Sequence, residues 1–180
     1  VIILPEMFST GFSMHTEKLG KESAQLTLDW MLEMAAEKQA AVMGSFMNFV
    51  EATGKYYNTL AFVEPDGKVQ YYHKRHLFTP GEEPKHFSAG TERLIIDYKG
   101  WRICPLICYD LRFPVFSRND VDYDDSLFCP GRGNGLYDLP LTNHLRFFMV
   151  ALKCMGDFVY RGYCLDYVPG KLAVHLAHGI

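Results

Sequence analysis

The chain has 180 residues, 48% of them hydrophobic and 22% charged, about one domain's worth of sequence and enough to bury a core rather than stay disordered. Eighteen Lys and Arg against 21 Asp and Glu give a net charge of −3, which offers no electrostatic reason for nucleic acid or an anionic membrane surface as partner. No run approaches the ~18 apolar residues of a transmembrane helix. Five cysteines without a CxxC pair exclude a disulfide framework or zinc finger and read as the reduced thiols of a cytoplasmic protein.

Val1-Ile2-Ile3-Leu4 reads as a buried strand that Pro5-Glu6 ends. It has no turn before it, no basic region of a signal peptide and no cleavage site, and predicts a natural chain that begins earlier. From Lys21 to Lys38, Leu26, Trp30, Met31 and Met34 recur at three- and four-residue steps, which predicts an amphipathic helix packed through that face. Ala40 to Phe46 reads as a buried strand. Tyr57 to Val63 and Val69 to Tyr72 flank Glu64-Pro65-Asp66-Gly67, which predicts a hairpin. A loop rich in Pro, Gly and charge follows from Thr79 to Gly90. Leu94 to Tyr98 and Trp101 to Ile107 form a second strand pair around Lys99-Gly100. Near-continuous apolar strands mixed with an amphipathic helix predict an α/β protein, its sheets covered by helices, in one domain over residues 1–180.

The last third differs in composition. From Arg93 to Ile180 there is not one Glu or Gln, although both are common on helix surfaces. This predicts either an unusually buried segment or one whose residues differ from those of the natural protein. Peptide mass spectrometry over residues 125–180 decides between them.

Three polar residues stand where predicted strands end: Glu6 after Pro5, Lys74 after His73 and Cys108 after Ile107. The carboxyl ends of strands are where α/β folds assemble sites. The three side chains together suit covalent hydrolysis of an amide or nitrile. A thiolate attacks the carbon, a carboxylate carries the thiol proton to departing ammonia, and an ammonium stabilises the oxyanion. Cys108 leads into a turn or helix start at Tyr109-Asp110-Leu111-Arg112, and a helix N-terminus predicts a lowered thiol pKa. Each residue alone also has an ordinary reading: Cys108 as a small core residue, Lys74 as a solvated loop charge, Glu6 as a cap.

Leu4-Pro5-Glu6-Met7-Phe8, Lys74-Arg75-His76-Leu77-Phe78 and Cys108-Tyr109-Asp110-Leu111-Arg112-Phe113-Pro114 resemble, in order and spacing, the three signature segments of the nitrilase superfamily of carbon–nitrogen hydrolases. The run from Glu6 to Met14 and that from Tyr72 to Phe78 are more closely similar to the omega-amidase branch, whose members hydrolyse the terminal amide of 2-oxoglutaramate and related omega-amides. The resemblance implies Glu6 as general base, Lys74 as the cation at the oxyanion and Cys108 as nucleophile, with no metal or other cofactor. It implies a supporting glutamate at Glu83, with Glu82 one residue away in register. The backbone N–H of Tyr109 becomes a second oxyanion donor, and Arg112 either a structural pairing residue or a partner for a substrate carboxylate. The implied fold is a four-layer α-β-β-α sandwich. It pairs as a homodimer or higher homo-oligomer through helices after the nucleophile, with further strands beyond both ends of this chain.

The resemblance covers roughly residues 1 to 124. Beyond Asp124 the family's Asn-Trp-Pro-like segment reads Pro130-Gly131-Arg132, and its Arg-Ala-x-Glu-Asn helix reads Arg146-Phe147-Phe148-Met149-Val150. Gly131, Gly133 and Gly135 lack the spacing of a dinucleotide loop, and His73, His76, Cys104 and Cys108 do not complete a metal set. The expected function is hydrolysis of a small omega-amide such as 2-oxoglutaramate to acid and ammonia through a Cys108 thioester. The alternatives are a related amidase for N-carbamoyl compounds or nitriles, and a non-catalytic nitrilase-like scaffold.

Overall fold

A computed structural model describes residues 1–118, 123, 125–129, 163–168 and 171–176. The chain order is β1 (Ile2–Ile3), α1 (Thr16–Lys38), β2 (Val42–Val50), β3 (Lys55–Val63), β4 (Val69–His73), β5 (Ile96–Tyr98), β6 (Trp101–Ile107), α2 (Pro114–Ser117), β7 (Asp125–Cys129), β8 (Tyr163–Val168) and β9 (Lys171–Leu176). Six strands form one sheet in the order β4-β3-β2-β1-β8-β9, and three form a second in the order β5-β6-β7.

The first sheet is built on hairpins. β2 and β3 pair antiparallel from Val42↔Val63 to Val50↔Lys55, and β3 pairs with β4 from Thr59↔His73 to Val63↔Val69. The turn expected at Glu64-Pro65-Asp66-Gly67 is there: the Gly67 N–H donates to Glu64 O and the Glu64 N–H to Lys68 O, with Gly67 at φ +88°. β1 runs parallel to β2, so the chain beyond Leu4 reaches the carboxyl end of the sheet. In the second sheet β5 and β6 turn through Lys99 and Gly100, both at positive φ, as the Lys-Gly pair suggested.

The first six residues of β2 are buried without alternation, because both sheet faces are covered. One face packs against the second sheet: Met43, Leu60, Phe62 and Tyr72 meet Ile96, Tyr98, Ile103 and Ile107 in a single apolar cluster. Phe62 sets its ring edge-on to Tyr98 at 5.3 Å between centroids. The opposite face packs on α1: Met31 and Ala35 meet Val42, Phe46, Ala61 and Val63. The described residues thus supply a helix layer and two facing sheets, three of the four layers expected.

Helix α1 departs from its expected form in two ways. It begins at Thr16 rather than Lys21, and its expected apolar face is half wrong: Met31 is buried, but Leu26 is 70% and Trp30 42% exposed. The buried stripe is Thr16, Gly20, Thr27, Met31 and Ala35. Small side chains let the helix lie close to the sheet, and a Cβ at Gly20 would come within 2.3 Å of the Tyr56 ring. Hydrophobicity counting misses a contact face made of Thr, Gly and Ala. The segments Pro130–Arg132 and Arg146–Val150, the glycines at 131, 133 and 135, and the composition question over 125–180 lie largely outside the described residues. No helix among the described residues is long and apolar enough to cross a membrane.

Candidate active site

The inner face of the first sheet changes character along its strands. On β3 it passes from Phe62 and Leu60 to Asn58; on β4 it passes from Tyr72 to Lys74, one residue beyond the strand. The Lys74 N–H donates to Asn58 O at 2.9 Å, which extends the ladder by a step, and the Gly90 N–H donates to Lys74 O at 2.9 Å. Gly90 is needed for that approach, because a Cβ there would sit 2.2 Å from His73 O. Glu6 reaches the same place from β1. The Met7 N–H donates to Ser45 Oγ at 2.9 Å and the Phe8 N–H to Ser45 O at 3.2 Å, which fixes the turn that carries the glutamate.

Lys74, Glu6, Glu83 and Asn58 form one buried polar cluster. Lys74 Nζ donates to Glu6 Oε1 at 2.6 Å and to Glu83 Oε2 at 2.8 Å. Asn58 Nδ2 donates to Glu6 Oε1 and to Glu83 Oε1, both at 2.9 Å. The Phe78 N–H adds a third donor to Glu83, at 2.6 Å on Oε2. Burial opposes the Lys74 charge, but the Glu6 and Glu83 carboxylates outweigh it and hold the ammonium above its ordinary range. Of the two adjacent glutamates, Glu83 is the one buried against Lys74, whereas Glu82 is exposed and paired with Lys85.

Cys108 opens a single 3-10 turn, Cys108–Arg112, directly after β6. Its φ of +40° is one that non-glycine residues seldom adopt, and such strain gathers at functional sites. Asp110, fully buried two residues on, braces the turn. Its Oδ2 accepts from Ile107 N at 3.1 Å and Tyr72 Oη at 2.8 Å, and its Oδ1 accepts from His76 N and lies 2.9 Å from His76 Nδ1. One carboxylate therefore ties the residue before Cys108 to the residue two beyond Lys74. Burial and the Asp110 charge together push the Tyr72 hydroxyl far up, so it stays a donor.

The lowered thiol pKa expected at Cys108 is overturned. Burial first, and the Glu6 carboxylate next, push the thiol up to about 12, against an opposing pull from Lys74. A five-residue 3-10 turn has little dipole to set against desolvation and a neighbouring carboxylate. Burial and the Glu6 charge together keep the side chain a thiol.

Aromatic rings stand beside the cluster. Phe12 and Phe78 meet edge-on at 6.1 Å, Tyr109 meets Phe78 at 5.2 Å and Phe113 at 5.3 Å, and Phe113 stacks on His76 at 3.7 Å. Glu6, Lys74, Glu83 and Cys108 are thus brought together, with Tyr109 adjacent. Arg112 is exposed, whereas Asp110 in the same turn is buried. Asn58 and Asp110 were not singled out by sequence reasoning. Asn58 had a usable signal, a polar amide inside a strand of otherwise β-favouring residues, whereas Asp110 was hidden within a longer motif. Among the described residues no three His, Cys, Asp or Glu are grouped to hold a metal.

The carbon-nitrogen hydrolase family model matches residues 1–122. The chain is 46% identical over 129 residues to an omega-amidase, YafV, of Escherichia coli (strain K12), covering 71% of this chain and 49% of that protein. It is 31% identical over 154 residues to a 2-oxoglutaramate amidase of Bacillus subtilis (strain 168), covering 84% and 58%. Among solved structures it is similar to XC1258 of Xanthomonas campestris, a CN-hydrolase superfamily protein with an arsenic adduct in its active site. The TM-score there is 0.66 and the identity 44%, over 71% of this chain and 51% of that one. The chain spans about half the length of these relatives. A match over more than half the chain, carried by the segments that hold Glu6, Lys74 and Cys108, makes this chain a member of the carbon-nitrogen hydrolase family, within the nitrilase superfamily.

Proposed function

We propose that this protein hydrolyses the amide of a small omega-amide of a 2-oxo dicarboxylic acid, such as 2-oxoglutaramate, to the acid and ammonia. The observation that carries the reading is a buried glutamate that takes the Lys74 ammonium and the Asn58 amide on one oxygen, next to a thiol that its charge helps to keep protonated. Glu6 Oε1 already accepts from Lys74 and Asn58, so Oε2 is the oxygen left for the thiol. Both oxygens of Glu83 are taken up by Lys74, Asn58 and the Phe78 N–H, which suits it to hold the lysine and not to move protons.

Glu6 Oε2 takes the Cys108 proton as the sulfur attacks the amide carbon. Negative charge gathers on the carbonyl oxygen, where the Lys74 ammonium and the Tyr109 N–H are the stabilising donors. The C–N bond breaks as Glu6 returns the proton to nitrogen, and ammonia leaves a Cys108 thioester. Water then attacks the thioester carbon and gives its proton to Glu6. The C–S bond breaks, the carboxylic acid leaves, and the thiol regains its proton. Because the thiol rests protonated, Glu6 acts on both halves of the cycle.

The substrate class is supported by the names of the relatives from E. coli and B. subtilis. A scaffold without catalysis is disfavoured, because a buried ammonium between two carboxylates beside a thiol is costly to keep for packing alone. Among the described residues Cys104, Cys108 and Cys129 are thiols outside any disulfide, which suits a reducing cytoplasm. A homodimer or higher homo-oligomer is part of the same proposal, and light scattering on the purified protein tests it.

The deciding experiment measures ammonia release from 2-oxoglutaramate, glutamine, a carbamoyl amino acid and a nitrile, with full-length protein and Cys108→Ala. Release from 2-oxoglutaramate that disappears in Cys108→Ala is the expected result. Release from only the carbamoyl compound or the nitrile moves the protein to another amidase branch, and silence on all four favours a scaffold.

A further inference from the structure

Asn58 lies on the inner face of β3 and is fully buried. Its amide nitrogen commits both protons to carboxylates, one on Glu6 Oε1 and one on Glu83 Oε1, at 2.9 Å each. Its Oδ1 meets no donor among the described residues. The reverse orientation would set a carbonyl oxygen against two carboxylates, so the neighbours fix this one. A residue kept for packing alone has no reason to strand a buried acceptor, since leucine has nearly the same shape and no oxygen to satisfy. Asparagine is also disfavoured inside a strand. Local rules broken twice at one buried position, beside the thiol and its carboxylate, mark a functional constraint.

We propose that Asn58 is a positioning residue for the Cys108 chemistry. It spans Glu6 and Glu83 as a fixed strut, and it locks the Glu6 carboxyl with Oε1 on Lys74 and Asn58, which leaves Oε2 for the thiol. The terminal torsion of a glutamate is broad, so a carboxyl with Lys74 as its only other donor can turn about its last bond. An oxygen shared with the ammonium would then meet the thiol in part of the population. Asn58 touches no reacting atom; it acts through Glu6. The Lys74 backbone is held by Asn58 O through the main chain, and side-chain substitution leaves that bond in place.

The inference rests on the amidase reading, and the experiment separates the two. Full-length wild type, Asn58→Leu and Asn58→Ala are compared for kcat and KM on 2-oxoglutaramate and for the rate of iodoacetamide alkylation at Cys108, read by peptide mass on protein purified as the folded species. The expected result is a kcat about a hundredfold lower, a KM within about threefold of wild type, and alkylation slowed in parallel. A packing role predicts wild-type kcat and alkylation in Asn58→Leu, and that outcome overturns the proposal. A change confined to KM makes Asn58 a substrate contact and also overturns it. If neither variant folds, Asn58 is a folding residue and the proposal fails. Inactivity of the wild type on every amide strikes the amidase reading, while the alkylation comparison still decides the role of Asn58.

Discussion

The two sheets enclose two interiors that share strands but not chemistry. Between Phe62, Leu60, Tyr98 and Ile103 the space is apolar, and contact there is non-directional. One step along the same faces, Asn58, Lys74, Glu6 and Glu83 fill a space held by directed hydrogen bonds of 2.6–2.9 Å. The difference lies in tolerance. An apolar interior accepts a new side chain of similar volume, whereas a charged one fails when a single partner is removed, because the others stay buried and unpaired.

Substitution should expose that contrast directly. The largest effect is expected from Cys108→Ala, a loss of roughly 10⁵-fold in kcat with little change in stability, checked by ammonia release and urea unfolding. Lys74→Met comes next: it leaves two carboxyl groups facing each other in a dry site, and should cost about 3–5 kcal/mol in urea unfolding as well as activity. Phe62→Leu, on the apolar side, should cost less than about 1.5 kcal/mol and keep kcat; a loss as large as that of Lys74→Met would erase the contrast. Glu82→Gln, at the exposed neighbour of Glu83, should stay within about 0.5 kcal/mol of wild type.

A pH series sharpens the same comparison. The Cys108 thiol is raised from an ordinary 9.0 to about 12 in the folded protein, and Lys74 is raised as well. For a group with a raised folded pKa, the native state holds its proton more tightly than the unfolded chain does. The associated stability is therefore full below pH 9 and is lost as pH climbs through 9 to 12. Cys108→Ala should flatten part of that alkaline decline, read as unfolding free energy against pH. A decline that is the same in the variant would mean the thiol titrates alike in both states.

Much of this was legible in the sequence, for physical reasons that differ by residue. The β3–β4 hairpin and the Lys99-Gly100 turn follow from local backbone preferences, and Glu6, Lys74 and Cys108 follow from strand-end position together with motif resemblance. The face of helix α1 was misjudged because its buried stripe uses Thr16, Gly20 and Thr27, which hydrophobicity does not mark, and Gly20 leaves room for the Tyr56 ring. The Cys108 thiol was misjudged because burial and the distance to Glu6 are tertiary quantities. Asn58 and Asp110 act by bridging segments far apart in the chain: Asn58 reaches Glu6 across 52 positions, and Asp110 reaches His76 across 34. No local pattern encodes such spans.

The Asp110 brace also bears on how the molecule opens. The amides of Ile107 and His76 donate to the same buried carboxylate, so neither is released unless the turn after β6 or the segment after Lys74 lets go. Their deuterium exchange should therefore be governed by a shared opening event, with protection that rises and falls together under denaturant. Cys108 and Lys74 would then be released as one unit, which guards against a half-open site that exposes the thiol without the ammonium.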